Sequence, residues 1–232
     1  MLVNPAGCDF VDFGSGVGGC IDFARKKLHG QHELGIEVHR GRYEQLKAAG
    51  YNVVCADVSS ITLPKKSVSF VTISHVLEHL DSVQEVRRVL ETAVSASRDF
   101  VFIEGPAFDF DLYLAAIGLK FSWSAGGHDH TTPITSRKLL ALISAIPEVT
   151  GYSFLQEVPA IKDSSSSDLH PATSPPGVCK YDPKIHPPKP MIKLQKPIYR
   201  SFVIFVWCAG PRLELLAARS PKFERTDKLW WQ

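Results

Sequence analysis

Short apolar runs recur through the first hundred residues, and each stops at an acid or a turn residue. The run that ends at Asp12 is the first, His32 to Val38 the second and Asn52 to Asp57 the third. Ser69 to Ser74 and Phe100 to Glu104 follow, the last closed by Gly105-Pro106. Runs of that length, rich in β-branched residues, predict strands. Between them the apolar positions change to helical spacing. Ile21, Phe23, Ala24 and Leu28 follow the first run, and Arg42 to Ala49 stops at Gly50, a natural C-terminal cap. From Ser82 to Ala96, Val83, Val86, Val89, Leu90 and Ala93 share a face, with Glu85, Arg87, Arg88 and Glu91 turned outward. Strands alternating with amphipathic helices predict βαβ units and a parallel sheet covered on both faces.

Past Pro106 the regularity breaks. Residues 108–132 carry Phe108, Phe110, Tyr113, Phe121 and Trp123 among glycines and histidines. A helix restarts at Thr135 or Ser136, with Leu139, Leu140, Leu142 and Ile143 inward; Tyr152 to Val158 reads as a sixth strand and Tyr199 to Trp207 as a strong final one. Residues 162–197 are dominated by Ser, Pro and Lys and read as a long, partly disordered insertion, because apolar content is too low to offset the ordering entropy. Its lysines, Lys184, Lys189, Lys193 and Lys196, read as a solvated loop.

Composition narrows the class. The chain has 232 residues, enough for one domain with a sizeable core, and a formal net charge of +2. Balanced charge gives no footprint for a polyanion, so nucleic acid is not expected as a partner. Five cysteines without C-x-x-C spacing predict reduced, buried thiols. There is no secretory pattern at Met1 to Pro5, and the longest apolar run, Phe202 to Gly210, is far below the ~20 residues of a membrane span. A cytoplasmic protein is expected.

The chemistry concentrates where the first strand ends. Asp12 is followed by Gly14, Gly16, Gly18 and Gly19, and then by a helix. A strand, a glycine turn and a helix start let backbone approach a nucleotide closely. Gly14, Gly16 and Gly19 fit the dinucleotide spacing G-x-G-x-x-G, whereas Gly14, Gly16 and Gly18 fit the G-x-G-x-G turn that cradles an adenosyl amino acid. Glu37, 21 positions after Gly16, stands where an acid accepts from ribose hydroxyls in either case. Asp57, ending the third strand, is placed to accept from an adenine amino group, which the dinucleotide fingerprint does not require. Tyr43 and Lys47, the Tyr-x-x-x-Lys pair an NAD(P) reductase would use, fall on the second helix, remote from a nicotinamide.

The segments Asp12-Phe-Gly-Ser-Gly-Val-Gly18, Gly35-Ile-Glu37, Ala56-Asp57-Val58 and Phe70-Val-Thr-Ile-Ser-His-Val-Leu-Glu-His-Leu80 resemble the class I S-adenosylmethionine-dependent methyltransferases of the type 11 group, over about Cys8 to Ile146. The resemblance implies an α/β, Rossmann-like, doubly wound fold with a mostly parallel seven-stranded sheet and an antiparallel last strand. It implies S-adenosyl-L-methionine as cofactor. The backbone of Gly14, Ser15, Gly16 and Gly18 would contact the methionine part, with Asp12 organising the turn and the amino group. Glu37 and Val38 would frame the ribose, Asp57 and Val58 the adenine, and Ser74 and His75 the methyl-transfer face. Residues 106–135 would be a substrate-side lid. The family usually has a helix or more before its first strand, and here eight residues stand there. A more open substrate side, or one closed by a second copy in a homo-oligomer, would follow.

The acceptor is read as a small molecule methylated at oxygen. The Asn/Asp-Pro-Pro-aromatic motif of amino-group methylation is absent after the fourth strand, where Ser74-His75-Val76-Leu77 stands. His128 and His130 are the candidate bases, against the alternative of a polar loop that caps the next helix. No metal is expected, since His128, Asp129 and His130 lack a further ligand cluster at suitable spacing. Glu78-His79 reads as a loop closed by hydrogen bonding, and Glu104 either faces the acceptor or is satisfied by local backbone. An NAD(P)-dependent oxidoreductase and a catalytically silent Rossmann-like binding module are the rival readings.

Overall fold

A computed structural model of the chain describes residues 1–123, 130–175, 180–212, 214–215 and 222–225. The parallel strands are β1 (Phe10–Phe13), β2 (Glu33–Glu37), β3 (Val53–Cys55), β4 (Val68–Ser74) and β5 (Ser97–Pro106). They alternate with α1 (Gly19–Lys27), α2 (Arg40–Ala48) and α3 (Val83–Ala96). Then come α4 (Asp111–Ala116), β6 (Leu119–Phe121), α5 (Ser136–Ser144) and β7 (Gly151–Glu157). The last elements are β8 (Ile161–Asp163), β9 (Leu169–Pro171), β10 (Lys193–Ile198), β11 (Ser201–Trp207) and β12 (Phe223–Arg225).

The main sheet runs β12-β7-β11-β5-β4-β1-β2-β3. The five strands from β5 to β3 pair in parallel, and β11 lies antiparallel between β5 and β7. The expected seven strands are therefore present, with the three-residue β12 added antiparallel on β7. Chain order reverses at the β1–β4 pair, which makes that crevice the switch point of the sheet.

Residues along the central strands alternate between two apolar layers. Phe10, Phe70, Phe100, Phe102, Phe205 and Trp207 pack with Ile21 and Ala24 of α1 on one face. Val11, Val71, Val101, Ile103 and Ile204 pack with α3 and α5 on the other. On the α1 face the rings of Phe10, Phe70 and Phe100 stack across three strands at centroid spacings of 4.9 and 4.8 Å. Burial on both faces is why these strands read as continuous apolar runs. Polar residues set the helix ends: Ser82 Oγ accepts from Glu85 N to start α3, and the Asp109 carboxylate accepts from Ser136 N at the start of α5. Among the described residues no helix is long and apolar enough to cross a membrane.

The 162–197 segment differs from its expectation. In its described part β8 pairs with β10, and β9 pairs with β6 in a second small sheet. Low average apolar content misled here, because a few residues carry the burial: Leu169 and Leu194 are buried in the main core. Lys189 Nζ donates to the carbonyls of Ser166 and Leu169 and sits 4.1 Å from the Tyr181 ring centroid, so it is a brace rather than a solvated charge. Leu169→Ala is expected to cost about 2–5 kcal/mol in chemical denaturation; a disordered insertion would tolerate it without loss.

Candidate functional site

The turn after β1 takes its shape from glycines in left-handed conformation, with φ of 71° at Gly14, 58° at Gly16 and 89° at Gly18. A Cβ on Gly14 would stand 2.4 Å from Val76 Cγ2, so the turn is pressed against the chain leaving β4. Gly14 N and Ser15 N donate to Ile36 O at 2.8 and 3.0 Å, and Gly18 caps α1. Glu37, ending β2 and only 3% exposed, locks the turn from the neighbouring strand. Its Oε2 accepts from Gly16 N and its Oε1 from His39 N, both at 2.7 Å.

Asp12 is fully buried, and Thr72 Oγ1 donates to its Oδ1 at 2.5 Å. Burial pushes its carboxyl up to about 6, with Thr72 opposing. Asp57 lies two residues beyond β3, exposed, its Oδ1 accepting from Ser59 N at 2.8 Å, while Val58 is buried beside it. Asp12, Glu37 and Asp57 thus occupy the carboxyl ends of three neighbouring strands, along with Val38 at the exposed rim. Ser74 ends β4 opposite Glu104, and His75 follows at φ 54° with its N–H donating to Glu104 O.

Beyond His75 opens a cavity of about 330 Å³ lined by His75, Pro106, Trp123, His130, Glu157, Arg200 and Ser201. All the strand residues among these lie at the same sheet edge, since Ser201 pairs with Pro106 at the end of β5 and Glu157 ends β7. His130 packs between the rings of His79 (5.0 Å) and Phe108 (5.5 Å). His128 and Asp129 lie outside the described residues. Of the aromatic segment, Phe108, Phe110 and Phe121 are core, whereas Trp123 stacks on Phe121 at 4.2 Å and faces the cavity.

Three wall residues carried no sequence signal. Arg200 pairs with Glu157 and, at 3.3 Å, with Asp168, while Ser201 Oγ donates to Glu157 Oε2 at 2.6 Å. They come from β7, the turn between β10 and β11, and the start of β11, and no spacing links them. Glu78 and His79 belong to a short turn after β4, and the expected closing hydrogen bonds are present as backbone bonds: Thr132 N donates to Glu78 O at 3.0 Å. One donor atom each from Glu78, His79 and His130 falls within 4.8 Å of the others, a grouping the sequence reading did not make.

The buried Asp12 carboxyl holds its proton more tightly in the folded chain than in the unfolded one. Its contribution to stability is therefore complete below about pH 4 and is lost as pH rises through about 6, a fall of roughly 3 kcal/mol. Asp12→Asn is expected to flatten that part of the stability profile, as read from denaturation midpoints between pH 4 and 7.

Residues 11–95 match the family described as "Methyltransferase domain". No curated protein matches the sequence. Three solved structures superpose on most of the chain at low identity, and they speak to the fold. An S-adenosylmethionine-dependent methyltransferase from Archaeoglobus fulgidus is 16% identical, with TM-score 0.59 over 87% of this chain and 86% of its own. A Thermotoga maritima protein, titled a possible histamine N-methyltransferase, is 13% identical, with TM-score 0.55 over 87% and 82%. An S-adenosylmethionine-dependent methyltransferase from Mesorhizobium loti is 16% identical, with TM-score 0.52 over 87% and 91%. Family match, strand order and glycine turn agree: residues 11–95 match a methyltransferase domain, and the chain adopts the fold of these S-adenosylmethionine-dependent methyltransferases.

Proposed function

We propose that the protein transfers the methyl group of S-adenosylmethionine to an oxygen of a small-molecule acceptor held in the cavity beyond His75. One observation carries the reading: the glycine turn and the cavity share a wall. Val76 presses on Gly14, and His75, one residue earlier, lines the cavity. A cofactor lying over the turn would present its sulfonium towards that space. The cavity's size suits a small molecule.

In this reading the backbone of Gly14, Ser15, Gly16 and Gly18 lies along the methionine part, and Asp12 sets the turn beneath the amino group. Glu37 takes the ribose hydroxyls. Both its oxygens already accept one N–H each, and each retains a second lone pair for a hydroxyl donor. Val38 covers the sugar, Asp57 and Val58 flank the adenine, and Ser74 and His75 stand at the methyl face. Residues 106–135 act as the substrate-side lid, which supplies Trp123 and His130 to the wall.

The sulfonium is an activated donor, so alignment does most of the work. Orientation alone supplies roughly 7–11 kcal/mol. The acceptor oxygen attacks the methyl carbon in line as the carbon–sulfur bond breaks, and the acceptor's proton leaves towards the imidazole-lined side at His75 and His130. Transfer to oxygen is favoured because no residue pattern for amino-group methylation follows β4.

A hydrogen bond to a charged group contributes roughly 1.5–3 kcal/mol, so Glu37→Ala is expected to weaken S-adenosylmethionine binding about 10- to 100-fold by titration calorimetry. An unchanged dissociation constant refutes the cofactor placement. Screening phenols, alcohols and amines for methyl uptake tests the acceptor, and turnover confined to amines refutes transfer to oxygen.

A further inference from the structure

We propose that Glu78, His79 and His130 bind a first-row divalent transition-metal ion beside the cavity, on the side that His130 lines, where it holds the acceptor hydroxyl. This rests on the methyltransferase reading and adds to it how the acceptor oxygen is held and activated.

Glu78 is 3% exposed, yet its Oε1 makes no hydrogen bond. His75 Nδ1 comes within 3.4 Å of that oxygen without hydrogen-bond geometry, and among the described residues no lysine or arginine pairs with the carboxylate. A buried carboxylate in that condition is costly unless a cation completes it. Around it stand imidazoles. Donor atoms of Glu78, His79 and His130 lie within 4.8 Å of one another. Metal–ligand bonds of about 2.0–2.2 Å place tetrahedral donors roughly 3.4 Å apart, so modest side-chain rotation closes the set.

The backbone is built to keep these donors together. His130 and Glu78 are 52 positions apart in sequence. Thr132 N donates to Glu78 O at 3.0 Å, and the hydroxyls of Thr131 and Thr132 both donate to Leu80 O at 2.7 and 2.6 Å. Three bonds thus fasten the chain just after His130 onto the turn that carries Glu78 and His79. His75, held at φ 54°, aims its ring at the same carboxylate. Strain of that kind in a non-glycine residue persists where surrounding structure enforces it, as at ligand sites.

Two imidazoles and one carboxylate select zinc, cobalt, iron or manganese over magnesium or calcium, and leave coordination positions open. With His130 as a ligand, it acts through the ion rather than as a bare base. The ion lowers the pKa of the acceptor hydroxyl, whose proton passes to water. The oxygen then forms its bond to the methyl carbon as the carbon–sulfur bond breaks, releasing uncharged S-adenosylhomocysteine.

The test uses the tag-free full chain stripped by chelator, titrated with Co²⁺ and Zn²⁺, with Mg²⁺ for contrast, and separately with S-adenosylmethionine. One equivalent of Co²⁺ is expected to bind and to give the visible spectrum of an imidazole-ligated ion. Glu78→Gln and His79→Ala are each expected to weaken Co²⁺ binding at least tenfold while S-adenosylmethionine affinity stays within threefold. Cofactor binding without Co²⁺ or Zn²⁺ uptake overturns the metal site and leaves the methyltransferase reading standing. Metal uptake that survives both variants places the ion elsewhere and overturns the proposal. Variant-sensitive uptake by a chain that does not bind S-adenosylmethionine supports the site and overturns the reading.

Discussion

The turns after β1 and β4 meet at one point, Gly14 against Val76, and the architecture of the site depends on that close approach. No side chain fits between them, and the backbone at Gly14 is left-handed, so both space and torsion require glycine. The contact brings the glycine turn after β1 and the strand end that lines the cavity into a shared wall. It sits where the sheet reverses direction, the one place in such a sheet where two outgoing chains part and leave a crevice.

Around that point the fold places buried carboxylates in different conditions. Glu37 is satisfied by two backbone N–H groups and serves as a fixed strut of the turn. Asp12 has one hydroxyl partner and a second oxygen with none, and burial raises its pKa. Glu78 lacks a hydrogen bond at Oε1 and faces imidazoles. A fold that needed only stability would be served better by apolar residues at Asp12 and Glu78. Their presence at the ligand edge is what a site looks like in energetic terms.

The parallel half of the sheet was legible because burial on both faces forces apolar runs, and because glycines and acids mark where each run ends. Asp12, Glu37 and Asp57 were readable as neighbours for that reason alone. The acceptor side was not. Arg200, Glu157 and Ser201 converge only through the antiparallel pairing of β11 with β5 and β7, which leaves no periodic trace. Glu78, His79 and His130 escaped because their grouping is made by hydrogen bonds across a long sequence gap. The insertion was misjudged because ordering entropy was set against average composition, whereas Leu169 and Leu194 concentrate the burial in single positions. Thr72 was passed over as an ordinary strand residue, though it is the partner of Asp12.

The anchoring of β9 and β10 in the main core has a consequence for how the protein changes over evolution and over time. Arg200 joins the insertion, through Asp168, to Glu157 in the cavity wall, and Leu169 ties the same segment to the sheet interior. The cavity wall is therefore tied to the hydrophobic interior. A lineage that shifts its substrate preference must do so by trading side chains on a rigid surface, because swapping this loop for another would unseat the interior with it.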